Sequence, residues 1–250
     1  MKLLVILLCI LSERYLVHAI SYLRFNWFPT YCNKIFQTLQ QSAWLLNPVI
    51  LMAIFVLPIV LIVALVLAMA DHLLFGLIGF LLNLVIFYYC IGPSNPFYPV
   101  RSELDNENSE LFVGIYFVQA NRQLFSLIFW YGITGILGAL VYRLITLCRE
   151  QELTARPAIQ ITNLMEWIPT RITVFLFLLV GNFQKGILFY KQNFISSPLN
   201  NERLLSEGGL LCLRTSENET VQLPSAEKLV EHALIVNLVF LALFTLIAFM

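Results

Sequence analysis

Long apolar runs without a charged side chain dominate the first half of the chain. No Asp, Glu, Lys or Arg occurs in Ile35–Ala70 or in His72–Val100. Within these runs, Trp44–Ala70 and Leu73–Ile91 each reach the ~20 residues that a helix needs to cross about 30 Å of hydrocarbon. The pattern therefore predicts two membrane-spanning helices joined by a tight turn at Asp71–His72.

Three further apolar segments predict crossings in the second half of the chain. They are Gln123–Tyr142, Ile172–Tyr190 and Ala233–Met250, and the region 191–232 is predicted to be a cytoplasmic loop. Between the first two of these spans, Arg156–Trp167 has apolar residues at helical spacing and a proline in its first turn, which suits an amphipathic helix in the headgroup region.

The N-terminal stretch Leu3–Tyr22 combines a short apolar core with charged residues. Lys2 before this core and Val17-His18-Ala19 after it are typical of a cleaved signal peptide. Glu13 and Arg14 interrupt the pattern before that site, and amphipathic spacing continues to Tyr22. The pattern favours an uncleaved short helix that is interfacial or packed on the bundle.

The composition agrees with this membrane architecture. Of 250 residues, 59% are hydrophobic and 12% are charged, and the mean hydropathy is +0.80, whereas soluble domains carry about 25% charged residues. The fifteen basic and fifteen acidic residues cancel, so no nucleic-acid partner is expected. We predict an all-α fold: a polytopic helical membrane protein with amphipathic interfacial helices, forming one domain over 1–250, with the lipid bilayer as its partner.

The cysteines and histidines indicate no metal site. Five cysteines form an odd, widely spaced set without a C-x-x-C pair, which argues against a disulfide framework or a zinc site and favours buried or lipid-facing thiols. His18, His72 and His232 are isolated, and neither a Ser/His/Asp nor a Cys/His arrangement can be read. We therefore predict no metal, no cofactor and no catalytic residue.

Basic residues in the loops predict the orientation. With five crossings, one side holds eleven of them: Lys2, Arg14, Arg24, Lys34, Arg101, Arg122, Lys185, Lys191, Arg203, Arg214 and Lys228. The other side holds four: Arg143, Arg149, Arg156 and Arg171. This places the N-terminus in the cytoplasm, but the bias reverses if Ile172–Tyr190 does not cross.

Three glycines recur every three residues in one predicted span: Gly132, Gly135 and Gly138. Small residues let another backbone approach closely in a membrane. The spacing predicts a helix-packing face, since a phosphate-binding loop requires a strand before it and a helix after it.

Several segments resemble the AmpE family of bacterial inner-membrane proteins. The first is Gln119-Ala120-Asn121-Arg122-Gln123-Leu124-Phe125, which continues through Phe129-Trp130-Tyr131 to Gly138–Arg143. The second is Leu164-Met165-Glu166-Trp167-Ile168-Pro169-Thr170-Arg171, followed by Gly181 and Lys185-Gly186, and Glu13-Arg14 is similar to a Glu-Arg pair of that family. The resemblance implies a regulator of β-lactamase induction linked to cell-wall recycling, located in the inner membrane, with other membrane or cell-wall-recycling proteins as partners.

The same Trp-Ile-Pro-x-Arg segment also resembles the membrane enzymes of the CobD/CbiB family, which form an amide bond in cobalamin biosynthesis. Their Ser-Glu-Asn motif is not kept in order in Asp105–Glu110, and Gly208–Arg214 is a remnant of their glycine-rich segment. A small-molecule transporter is a third alternative. It would be expected to show an ionisable group in a span or an internal repeat, and neither is evident.

Six polar residues are the candidate ligand-binding set: Glu13, Arg14, Asn121, Arg122, Glu166 and Arg171. Charged groups near hydrocarbon are costly, so they pair with each other or face a wet cavity. If the six are more than anchors of helix ends, they should converge in space. The five-span arrangement opposes this, because it places Arg122 on one side of the membrane and Glu166 with Arg171 on the other.

Overall fold

Helices form every regular element in the described part of the chain. The structure is a computed structural model that describes residues 2–15, 24–39, 47–70, 77–92, 110–214 and 221–249. The α-helices are α1 (Lys2–Tyr15), α2 (Trp27–Leu39), α3 (Pro48–Ala70), α4 (Leu77–Cys90), α5 (Glu110–Ala120), α6 (Ser126–Thr134), α7 (Ile136–Cys148), α8 (Ala155–Met165), α9 (Trp167–Val180), α10 (Phe183–Asn193), α11 (Asn201–Leu213) and α12 (Leu223–Phe249). A π-helical turn, Asn121–Phe125, joins α5 to α6, and a 3-10 turn, Pro198–Asn200, precedes α11. The predicted all-α class is confirmed for these residues.

Two described helices are long and apolar enough to cross a bilayer. They are Pro48–Ala70 and Leu223–Ile247, and only 22% and 17% of their most apolar stretches are buried within the protein. The pair α8 and α9 passes the same test together but is bent by 51° at its break, whereas α4 and α7 are apolar but short. By length and composition, the described residues therefore contain two or three helices that can span a membrane, where the sequence predicted five.

The first helices agree in place with the predicted elements near the start of the chain. α3 and α4 lie within the predicted spans Trp44–Ala70 and Leu73–Ile91, and α3 begins at Pro48, later than the predicted Trp44. The N-terminal helix is described over Lys2–Tyr15. The predicted turn at Asp71–His72, the end of the predicted helix Leu3–Tyr22 and all of the segment Asp105–Glu110 except Glu110 lie outside the described residues.

The chain divides into two compact units, and the predicted single membrane domain over 1–250 stays a prediction. The first comprises residues up to 95 together with 127–162, and the second comprises 96–126 and 163–250. In the first unit, α1 packs on α4, and α3 and α4 pack on α7. Its core includes Phe87 and Tyr131, whose ring centroids are 4.5 Å apart.

Two arginines bind the carboxyl end of α4 in the first unit. Nη1 of Arg24 donates to the carbonyl oxygen of Tyr88 at 3.1 Å, and Nε of the buried Arg143 donates to that of Cys90 at 2.6 Å. The last carbonyls of a helix lack partners within it and carry partial negative charge. These guanidinium groups therefore satisfy a helix end that would otherwise be buried without donors.

The predicted span Gln123–Tyr142 is not one helix. Gly135 has φ +78°, a conformation that L side chains rarely adopt, and it separates α6 from α7. A Cβ at Gly135 would meet nothing within 4 Å, and one at Gly138 would overlap Thr134 of the preceding turn. Gly135 therefore marks a chain break within the predicted span, and the helix-packing face of Gly132, Gly135 and Gly138 stays a prediction.

The predicted span Ile172–Tyr190 is not one helix either, because this segment folds back on itself. α9 ends at Val180, directly before Gly181, and α10 begins after Asn182, whose side chain accepts a hydrogen bond from the backbone N–H of Lys185. The rings of Phe175 and Tyr190 pack 6.3 Å apart, and Arg171 bonds the carbonyl oxygen of Phe194. Residues further along α9 thus contact residues nearer the start of α10, so the two helices form an antiparallel hairpin.

Close helix packing in the second unit depends on glycines of α11. A Cβ at Gly209 would lie 2.6 Å from Cε2 of Phe117 on α5, and one at Gly208 would lie 3.0 Å from Val174 on α9. α11 therefore sits tightly between α5 and α9, and α12 packs on α5 and α9 as well. This helix occupies part of the predicted loop 191–232, and α12 begins at Leu223, earlier than the predicted Ala233.

Candidate functional site

Polar side chains, most of them buried, gather at one end of the helices of the second unit. They come from the π-helical turn, the start of α9 and the start of α11. We call them the polar cluster, and its members are Asn121, Arg122, Glu166, Thr170, Arg171, Thr173, Asn201 and Glu202. Four of the six predicted ligand-binding residues belong to it: Asn121, Arg122, Glu166 and Arg171.

The π-helical turn places Asn121 and Arg122 in the cluster. Such turns are rare, and they occur frequently at functional sites. Asn121 is fully buried, and its amide nitrogen donates to Oγ1 of Thr170 at 3.4 Å. The hydroxyl of Thr173 donates to Oδ1 of Asn121 at 2.8 Å. Asn121 is thereby tied to two successive turns of α9.

Arg122 joins two carboxylates that differ strongly in exposure. Its Nε lies 3.0 Å from Oε1 of Glu166, a side chain that is 1% exposed. Its Nη2 lies 3.2 Å from Oε1 of Glu202, a side chain that is 56% exposed. Arg122 itself is 22% exposed. The guanidinium thus contacts the buried carboxylate of Glu166 on one side and the exposed carboxylate of Glu202 on the other.

Arg171 forms hydrogen bonds that join the start of α9 to the residues after α10. It donates to the carbonyl oxygens of Trp167, Phe194 and Ser196 at 2.8–3.0 Å, and to Oδ1 of Asn201 at 2.7 Å. Its guanidinium also lies 4.4 Å from the ring centroid of Trp167. Asn201 in turn donates to the backbone oxygen of Asn163 at 2.7 Å. Arg171 therefore connects the start of α9 to the segment that follows α10 and to the start of α11.

Glu13 and Arg14, the other two predicted residues, belong to the first unit. The fully buried carboxylate of Glu13 accepts from Nη2 of Arg24 at 2.8 Å, and Arg14 is half-buried. Arg24 stacks over the ring of Tyr88 at 4.4 Å as well. Within its own unit, Glu13 therefore pairs with the charge of Arg24, the arginine that binds the carboxyl end of α4.

The sequence interpretation missed Thr170, Thr173, Asn201 and Glu202. A signal for the last two was present, because Ser197-Pro198 followed by Glu202 is a typical helix start and predicts α11. In the structure, the hydroxyl of Ser197 accepts from the backbone N–H of Leu199. The two threonines gave no comparable signal. A threonine hydroxyl in an apolar helix usually donates to a backbone carbonyl of the same helix, as the hydroxyl of Thr173 does to the carbonyl oxygen of Pro169.

The groups of the polar cluster suit binding by charge and hydrogen bonds. They supply two guanidiniums, two carboxylates, two amides and two hydroxyls. No group of three or more His, Cys, Asp or Glu side chains with metal-binding geometry occurs in the parts of the chain that the structure describes. The five cysteines are buried free thiols. Comparison with known proteins gives no relative: no family model, no curated protein and no solved structure matches the chain.

Proposed function

We propose that the chain is a multi-pass inner-membrane protein of the AmpE type, which modulates β-lactamase induction by binding a signal at the polar cluster. The observation that carries this proposal is the direct contact between the two segments of the resemblance. Arg122 and Asn121 from the first segment meet Glu166 and Thr170 from the second, although 44 residues separate the members of the ion pair.

Burial and hydrogen bonding support a role beyond anchoring helix ends. A helix anchor needs only an exposed ion pair, whereas Glu166 is 1% exposed and Asn121 is fully buried. Burying a charge is costly unless it is paired and hydrogen-bonded. A sequence that retains these groups inside the unit is more consistent with a binding role than with an anchor alone.

Long exposed apolar helices support the membrane location. Most of α3 and of Leu223–Ile247 is not covered by the rest of the protein. In water such surfaces would aggregate, whereas in a bilayer they contact lipid. Retention of the full chain in membranes after alkaline carbonate extraction tests this part of the proposal, and release into the supernatant would contradict it.

The regulatory role is tested by deletion in the bacterium that encodes the chain, with an inducible β-lactamase as the reporter. We expect altered induction by a β-lactam, restored by the wild-type chain and by Glu207→Gln but not by Glu166→Gln. Glu207 is the matched control, since its exposed ion pair with Arg203 lies outside the polar cluster. A growth requirement for a corrinoid, with normal induction, would instead favour the cobalamin-enzyme alternative.

A further inference from the structure

A cavity lies in the first unit, between α3, α4 and the junction of α6 with α7. Its volume is about 320 Å³, within the range of about 300–1,000 Å³ that is usual for small-molecule sites. An engineered apolar cavity of about 150 Å³ already binds benzene, so this cavity has room for a molecule of about two rings. Its described apolar lining consists of Ala64, Leu67, Ala68, Ile136 and Leu137.

Small side chains and a chain break keep this space open. Ala64 and Ala68 lie one turn apart on the same face of α3, and a methyl group extends little from its helix. On the facing wall, the chain breaks at Gly135 between α6 and α7, and a Cβ there would meet nothing within 4 Å. A larger side chain at Ala64 would therefore occupy the cavity.

Asn83 brings a polar group into this apolar lining. Its amide nitrogen donates to the carbonyl oxygen of Gly79, on its own helix, at 2.8 Å. The nitrogen and the oxygen of an amide lie on opposite sides of the group, so Oδ1 is directed away from that backbone contact. No described residue donates to Oδ1 of Asn83. Because an amide oxygen without a donor is unfavourable in apolar surroundings, a ligand that supplies a donor gains free energy here.

Thr134 provides a second acceptor in the same lining. Its hydroxyl donates to the carbonyl oxygen of Trp130 at 2.7 Å, and a hydroxyl has a single hydrogen, so the oxygen of Thr134 can only accept further hydrogen bonds. The described lining contains no charged side chain. A ligand that matches it is neutral and mostly apolar and carries a donor. A hydroxyl group meets these conditions, whereas a ketone or an ester offers acceptors alone.

We propose that this cavity binds a neutral apolar molecule with a hydroxyl group, taken up from the bilayer, and that the hydroxyl donates to Oδ1 of Asn83. Ala68 and Thr134 are exposed, so the cavity opens at the surface of the unit. Near this opening, Leu65 and Met69 of α3 are 62% and 64% exposed, and in a bilayer such a surface contacts lipid. The site rests on the proposed membrane location, but not on the polar cluster, which belongs to the second unit.

The test compares 1-naphthol with naphthalene, which has the same rings without the hydroxyl, on the full chain in mild detergent. The rise of the thermal unfolding midpoint with probe concentration gives the apparent dissociation constant of each probe. We expect Asn83→Leu to weaken 1-naphthol binding about three- to tenfold, as for one lost hydrogen bond, and to leave naphthalene binding unchanged. Asn237→Leu, which removes an asparagine from α12 outside the cavity, should change neither. Partition of the probes into micelles is common to all variants and cancels in their ratios.

Ala64→Leu should abolish the binding of both probes, whereas Ala53→Leu, on α3 outside the cavity, should retain it. If Ala64→Leu fails to fold, Ala68→Leu at the exposed opening of the cavity makes the same test. Equal effects of Asn83→Leu on the two probes would overturn the hydroxyl assignment. Binding that survives both leucine variants, or no saturable binding to the wild type, would overturn the site. These outcomes leave carbonate extraction and the induction phenotype unchanged, so failure of the site and failure of the proposed function are distinguishable.

Discussion

Nε of Arg122 lies 3.0 Å from Oε1 of Glu166, so these two residues occupy the same side of any membrane that the chain crosses. The five-span arrangement placed them on opposite sides, and the ion pair therefore contradicts it. We therefore expect residues 123–165 to return to the side of the membrane that they leave. The α9–α10 hairpin also begins and ends at one level, where Arg171 bonds the carbonyl oxygen of Phe194.

This arrangement predicts the sidedness of two exposed positions, Leu164 and Asn200. Leu164→Cys and Asn200→Cys should be labelled by a membrane-impermeant maleimide from the same side of sealed vesicles. The wild-type chain is the control, since its own five cysteines are buried. Labelling of the two positions from opposite sides would restore a crossing at Ile172–Tyr190.

The Arg122–Glu166 pair should contribute more to stability than an exposed pair on the same unit. Glu166→Gln is expected to lower the free energy of unfolding by about 3 kcal/mol, since removing one partner leaves a charge without its buried counterpart. Glu207→Gln, which removes an exposed pair with Arg203, should cost about 0–1 kcal/mol. Chemical denaturation in mild detergent measures both, and equal losses would mean that Glu166 is only a surface anchor.

The sequence predicted the helical class and the two long apolar helices because composition and length determine both properties locally. It also singled out Asn121, Arg122, Glu166 and Arg171, which lie in one cluster, although their contacts depend on the fold. The hairpin was missed because apolar content does not distinguish one long helix from two short antiparallel ones. Gly181-Asn182, a glycine followed by a helix-capping residue, was the local signal that marked its turn.

The glycines that matter for packing should be those of α11, not those of the predicted glycine face. Gly209→Ala is expected to destabilise the chain by about 1–3 kcal/mol, because its Cβ would overlap the ring of Phe117. Gly135→Ala should cost about 1–3 kcal/mol through its backbone conformation alone, φ +78° with ψ −161°. Replacing Phe117 by Leu should offset the Gly209→Ala loss and leave the Gly135→Ala loss unchanged. Thermal unfolding of the single and double variants measures this, and a lack of coupling between positions 117 and 209 would contradict the packing.

The thiol of Cys212 should be inert in the folded chain and should make stability depend on alkaline pH. Burial between α9, α10 and α11 raises the pKa of Cys212 to about 12, from 9.0. At pH 8 a soluble maleimide should therefore react with Cys212 only after denaturation, since the thiolate is the reactive form.

Because the pKa of Cys212 is raised on folding, its stabilising contribution is fully present below pH 9 and is lost progressively as the pH rises towards 12. Cys212→Ala removes this term, so its stability relative to the wild type should improve between pH 9 and 12. Denaturation midpoints of the two proteins across this range measure the effect. The other buried thiols remain in both proteins and cancel in the comparison. A constant difference between the two proteins would show that Cys212 ionises as readily in the folded chain as in the unfolded one.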